Sequence, residues 1–169
     1  GLRSEVEPIV LRADQSAARQ MAQALAGMSG LNAVHVIAHG RSGEIVFAGG
    51  GLSCATLGEH ARDLAALRRS LADDATIQLY SCHVAQGEAG QGFVRELGGL
   101  LGADVFASAE TVGAAELNGD WILDWTTSKN DRAASLPLMP ETTRQYRHVL
   151  GISIFLAPAF DTGSSSNDG

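Results

Sequence analysis

Two stretches of the chain are almost continuously apolar, and each stops at a residue that carries chemistry. Ala33-Val34-His35-Val36-Ile37-Ala38 ends at His39-Gly40, and Ile77-Gln78-Leu79-Tyr80 ends at Ser81-Cys82. Short, near-continuous apolar runs mark strands buried on both faces of a sheet. Between and around them the period changes to that of helices. Met21, Leu25 and Met28 share one face of a segment that Asp14 would cap and Gly30 would stop. Thr56 with Glu59 three residues on reads as a capping box. It would open a helix with Leu57, Ala61, Leu64 and Leu71 inward and Arg62, Arg68 and Arg69 outward, ended by Asp73-Asp74. Phe93, Leu97, Leu100 and Leu101 form the stripe of a third helix, reached through a glycine-rich turn from Gly87 to Gly92.

Shorter runs complete the pattern. Val6 to Leu11 reads as an edge strand interrupted by Pro8. Glu44 to Phe47 reads as a hairpin partner beyond a turn at Gly43, with Gly49-Gly50-Gly51 as a flexible turn after it. Asp104 to Ala107 is a further buried strand, and Trp121 to Trp125 alternates as a strand with one exposed face. The order β-α-β-(β)-α-β-α-β-β predicts an α/β fold, a mostly parallel central sheet flanked by helices on both faces. Residues 126–142 are polar, hold two prolines and read as a loop; Tyr146 to Leu156 is a last strand or an extended exit segment. The polar run from Asp161 to Gly169 has nothing to pack and reads as a linker. The expected division is an α/β domain over 1–150 and an exit segment and linker over 151–169, leading toward a following repeat domain. There is no internal repeat.

Composition narrows the function classes. At 169 residues, 45% apolar and 18% charged, the chain is long enough for one domain with a real core. Its formal charge of −7 argues against nucleic acid or an anionic membrane surface as partner. No apolar run approaches the ~20 residues of a membrane helix, and the first residues given do not read as the charged-then-apolar pattern of a signal peptide. The abrupt start without an initiator Met reads as an excised or processed piece. The two cysteines, Cys54 and Cys82, could form one disulfide in an oxidising compartment. The surroundings of Cys82 favour a free, reactive thiol.

The carboxyl ends of strands are where open α/β sheets bind ligands. A Cys and a His brought together there are the minimal parts of a cysteine-nucleophile site. His39 would take the thiol proton and return it to the leaving amine. Gly40 would let a substrate approach the backbone, and its N–H with that of Cys82 would form a donor pair for a developing oxyanion. Other candidates are weaker. His83, next to Cys82, would point to the opposite face of a strand and reads as structural. His35, Cys54 and His60 give no recognisable zinc spacing, so no metal and no cofactor are expected. Ser42 lacks the Gly-x-Ser-x-Gly pattern of a nucleophile elbow. The glycines from Gly87 to Gly92 have the wrong spacing and order for a phosphate loop.

An apolar strand ending in His-Gly, followed some forty residues later by one ending in small-Cys, resembles the caspase-like (clan CD) cysteine peptidases. That resemblance implies His39 as catalytic base, Cys82 as nucleophile, and the backbone of Gly40 and Cys82 as oxyanion hole. It also implies a pocket for the residue before the cut near Ser108-Ala109-Glu110-Thr111, where Glu110, or Asp120 beside Trp121, would select a basic residue; solvated surface carboxylates are the plainer reading of both. A closer resemblance runs through Leu25-Ala26-Gly27 to Leu31, Val34 to Gly40, Leu79 to Ala85, Gly87-Glu88-Ala89-Gly90, Gly102-Ala103-Asp104-Val105 and Asn118-Gly119-Asp120-Trp121. These segments look like a bacterial domain of originally unknown function near the N-termini of giant repeat-containing, adhesin-like surface or secreted proteins. It implies an extracellular or cell-surface location. It also implies a further strand ahead of Val6, which this chain starts too late to hold; the sheet would then lack an edge strand or take one from a partner chain, and a neighbouring repeat domain is the other expected partner. The expected function is a cysteine endopeptidase domain that processes its own parent polypeptide. The rival is a non-catalytic secretion, anchoring or adhesion module; a weaker third is acyl transfer or hydrolysis on a non-peptide substrate.

Overall fold

The computed structural model describes residues 1–130 and 134–151. Helix α1 covers Ala17–Ala24 and starts after Ser16, shorter at both ends than the periodicity predicts. Asp14 is not its cap. The Gln20 side chain holds the backbone at Arg12 and Gln15 through bonds of 2.7 to 2.9 Å, which keeps that stretch outside the helix. Asp14 instead pairs with Arg12 at 3.4 Å.

Strand β1 (Leu31–Ile37) leads into a small antiparallel sheet of β2 (His39–Arg41), β3 (Glu44–Phe47) and β4 (Gly50–Ser53). The expected turn at Gly49-Gly50-Gly51 is thus partly strand: Gly50 and Gly51 pair with Phe47 and Val46. Helix α2 (Cys54–Leu57), a 3-10 turn over Gly58–His60 and helix α3 (Ala61–Arg68) come next. The cap lies one turn earlier than the predicted Thr56/Glu59 box. Ser53 stands at the N-cap, and its N–H donates to Thr56 Oγ1 at 3.0 Å.

Strand β5 runs from Leu71 to Tyr80. Leu71, expected on the inner face of the preceding helix, pairs instead with Leu31, and Asp73-Asp74 lies inside the strand. The β1–β5 register shifts between Leu31 and Ala33, an irregularity that accommodates these exposed acidic residues. Helix α4 (Gly87–Leu101), β6 (Asp104–Ala107), β7 (Trp125–Thr126) and α5 (Pro140–Gln145) complete the fold.

The central sheet has the order β1-β5-β6-β7, parallel except for β7. It is the mostly parallel sheet with flanking helices that the strand–helix alternation predicts. Along β5, successive side chains point to opposite faces. Ile77 and Leu79 join the larger core with Phe93, Val94, Leu97 and Leu101 of α4, while α1 packs on α3 and α3 on α4. Full burial of a side chain such as Phe93 contributes about 2–3 kcal/mol. Leu100, predicted inward, is exposed. On the opposite face Tyr80 anchors a second cluster with Cys82, Val112 and Leu150, packed against Trp121 and against Tyr146, just beyond α5. The Tyr80 hydroxyl lies 3.2 Å from both Gln78 Oε1 and the Ser135 carbonyl oxygen, the two acceptors within reach of its single proton.

Two expected strands are absent or reduced. Residues 6–11 form no strand; they line an open cleft beside β1, the edge of the sheet, and Val10 is 88% exposed. Pro8 lacks the N–H that a ladder needs there. Of Trp121 to Trp125 only Trp125 pairs, because Trp121 turns inward onto Tyr80, ring centroids 6.2 Å apart. The exit segment and linker beyond Gly151 lie outside the described residues.

Candidate functional site

The two apolar runs do lie side by side. Ile37 pairs with Tyr80 at the carboxyl ends of β1 and β5, and the Ala38 N–H extends the ladder to the Tyr80 carbonyl at 3.2 Å. His39 and Cys82 therefore emerge on one edge of the sheet. Gly40 sits against the second strand end: a Cβ there would lie 2.7 Å from both the Cys82 carbonyl oxygen and Ser81 Cβ. Only a residue without a side chain brings β2 this close to the thiol-bearing loop.

Cys82 is almost wholly buried and free, and the other cysteine, Cys54, is exposed and also free, so the two form no disulfide. The Cys82 sulfur accepts the Val112 N–H at 3.2 Å, and its S–H donates to the Val112 carbonyl at 3.4 Å. Burial pushes the thiol pKa up; the backbone bonds around the sulfur, Val112 first, pull against that shift. The His39 side chain is exposed, and among the described residues no hydrogen bond joins its ring to the sulfur.

The loop after β6 holds the turn just past Cys82. The Ala85 N–H donates to the Ser108 carbonyl at 3.0 Å, and that of His83 to the Glu110 carbonyl at 2.9 Å. His83 is not on a strand, contrary to the alternation argument: it has φ 59°, and its ring contacts the Ala109 carbonyl at 3.2 Å and Thr111 Oγ1 at 3.3 Å. Those contacts brace the loop from a turn, not from the strand position expected.

The feature that motif reasoning missed is the segment His148–Gly151. The Ala114 N–H donates to the His148 carbonyl and the Leu150 N–H to the Val112 carbonyl, both at 2.8 Å. On the other side Gly151 bridges Gly40. The Leu150 carbonyl oxygen then receives two donors at once, the N–H of Gly40 at 2.9 Å and that of Cys82 at 3.4 Å. These are the two donors predicted for an oxyanion. The sulfur lies beside the same peptide link, 3.6 Å from where a Cβ on Gly151 would stand. Nothing in the local sequence at 148–151 signals this contact, which joins four segments far apart in the chain.

The pocket residues are placed differently from expectation. Ser108 is buried and spends its hydroxyl on the backbone of Glu110. The Glu110 and Asp120 side chains are exposed, and Asp120 caps the Ile122 N–H at 2.8 Å. The side chain held at the thiol is instead apolar, Leu150, within the Tyr80, Val112 and Trp121 cluster. Among the described residues no group of three or more His, Cys, Asp or Glu side chains could hold a metal, and no helix is long and apolar enough to cross a membrane.

Comparison with the curated proteins and with the solved structures finds no match. A family model described as a domain of unknown function, DUF4347, matches residues 1–150, a span that includes both strand ends and Leu150. The chain belongs to that family.

Proposed function

We propose that this domain is a cysteine endopeptidase of caspase-like type that processes its own polypeptide, as part of a larger secreted or surface bacterial protein. One observation carries the reading: the N–H groups of Gly40 and Cys82 converge on a single carbonyl oxygen beside the Cys82 sulfur. Two backbone donors fixed on one oxygen, next to a nucleophile, are the arrangement that stabilises the tetrahedral intermediate of acyl transfer.

We assign the roles from where the residues lie. Cys82 supplies the nucleophile at the end of β5. Burial pushes its pKa up and disfavours the thiolate, so attack needs a base. His39, exposed and one residue from the Gly40 donor, is in this reading the base that takes that proton and passes it to the leaving amine.

A second reading, a non-catalytic anchoring or adhesion module, draws on the burial of Cys82 and on its bonding to Val112 rather than to the His39 ring. Self-processing separates the two. In a chain extended beyond residue 169, Cys82→Ala should abolish processing and His39→Ala should slow it by roughly 10²-fold or more, read as band conversion over time. Equal processing of wild type and Cys82→Ala would rule the peptidase out.

A further inference from the structure

The geometry points to the peptide bond between Leu150 and Gly151 as the bond this site cuts, an inference that rests on the proposed peptidase activity. The oxygen between the two backbone donors belongs to the chain itself. Moreover, the chain arrives there as a substrate would. His148 and Leu150 pair with Ala114 and Val112 through main-chain bonds of 2.8 Å, as a peptide does when it adds a strand to an enzyme. The isolated bridges of Val149 to Gly113 and of Gly151 to Gly40 fix that strand on both sides of the thiol.

Side chains on either side of the bond fit the same assignment. Leu150 is 7% exposed, packed with Tyr80, Cys82 and Val112 and against Trp121 and Tyr146, so the residue before the cut is anchored by apolar contact. Gly151 after the cut brings no side chain toward the sulfur. The family match ends at residue 150, so cleavage here would separate the matched domain from residues 151–169.

Atoms and electrons balance at each stage. The Cys82 thiol gives its proton to His39, and the sulfur bonds to the Leu150 carbonyl carbon. The carbon–nitrogen bond to Gly151 breaks, and His39 delivers the proton to the departing Gly151 amine. The N–H groups of Gly40 and Cys82 hold the oxygen while it is anionic. Water then adds to the thioester carbon, His39 takes a proton from it, and Cys82 leaves as thiol, with Leu150 as the new carboxyl terminus. The substrate class is thus an extended segment with an apolar residue before the cut and a small one after it, not the basic residue that Glu110 or Asp120 would have selected.

The test is the position of the cut in the 169-residue chain, held at neutral pH and read by intact mass and by sequencing the released fragment. The expected new N-terminus is Gly151-Ile152-Ser153, with Cys82→Ala left whole. Leu150→Asp, which places a charge in the apolar cluster, should slow release by about 100-fold or more. Because that variant also perturbs packing, Leu150→Met serves as its control and should retain most of the rate. A Cys82-dependent cut at another bond overturns this inference and leaves the peptidase reading standing. No Cys82-dependent cut at any bond overturns both.

Discussion

Gly40 and Gly113 carry the narrowest constraints in the site. A Cβ at Gly40 would meet Ser81 and the Cys82 carbonyl at 2.7 Å. So close a contact forces the backbone apart, and the first thing lost is the convergence of two N–H groups on one oxygen. Gly113 has φ 140°, and a Cβ there would lie 2.4 Å from the His148 carbonyl oxygen. Gly40→Ala and Gly113→Ala should each reduce self-processing by about 10²-fold, the size of effect expected for loss of one oxyanion donor. The two should differ in how they do so. Gly113→Ala places its Cβ against the docked segment 148–150, so Cys82 should become more accessible to iodoacetamide in it. Alkylation of Cys82 no faster than in wild type would show that this segment is not what covers the thiol.

At the scale of elements, the sites readable in the sequence were those where one strand carries its own signal. The two apolar runs are β1 and β5, and their pairing brought His39 and Cys82 to one edge as the topology required. Most of the α4 stripe was equally clear: Phe93, Leu97 and Leu101 are buried, whereas Leu100, predicted inward, is exposed. Elements decided by their partners were not readable. Gly50-Gly51 becomes strand only because β3 offers a ladder, and Asp73-Asp74 joins β5 because Leu71 pairs with Leu31. Trp121 leaves its alternating segment for a contact with Tyr80. Tertiary packing overrode local preference in each case.

His35 on β1 makes this level testable. Its ring stacks on Tyr80 with centroids 6.4 Å apart, and its buried Nδ1 has no partner among the described residues. Burial, with a smaller contribution from the nearby Arg3 charge, lowers its pKa below the usual 6.5. The folded state therefore binds fewer protons than the unfolded chain in the window just below that value. Stability should be fully present above pH 6.5 and lost as pH falls through the lowered folded-state pKa. Thermal melts from about pH 7 down to about pH 5 should show this decline, and His35→Phe should flatten it. An unchanged slope in His35→Phe would assign the acid sensitivity to other groups.

At the scale of the whole molecule, the chain closes on itself at one point. The segment 148–151 crosses from the second cluster, between the loop after β6 and the start of β2, and delivers the Leu150 carbonyl to the N–H groups of Gly40 and Cys82. That contact was invisible in the sequence because it joins positions 40, 82, 112 and 150, none of which marks the others. Under the proposed peptidase reading, the buried thiol and the peptide link beside it are an enzyme and its substrate before proton transfer to His39. Covalent attachment of Leu150 to Cys82 is the event that no purely structural role can produce. The measurement is therefore an acid-quenched time course of the 169-residue chain, read by intact mass. The predicted result is a transient species ending at Leu150 and one water lighter than the hydrolysed domain, the internal thioester to Cys82, absent in Cys82→Ala. Release of the fragment from Cys82→Ala at the wild-type rate, or both chains remaining whole, would contradict it.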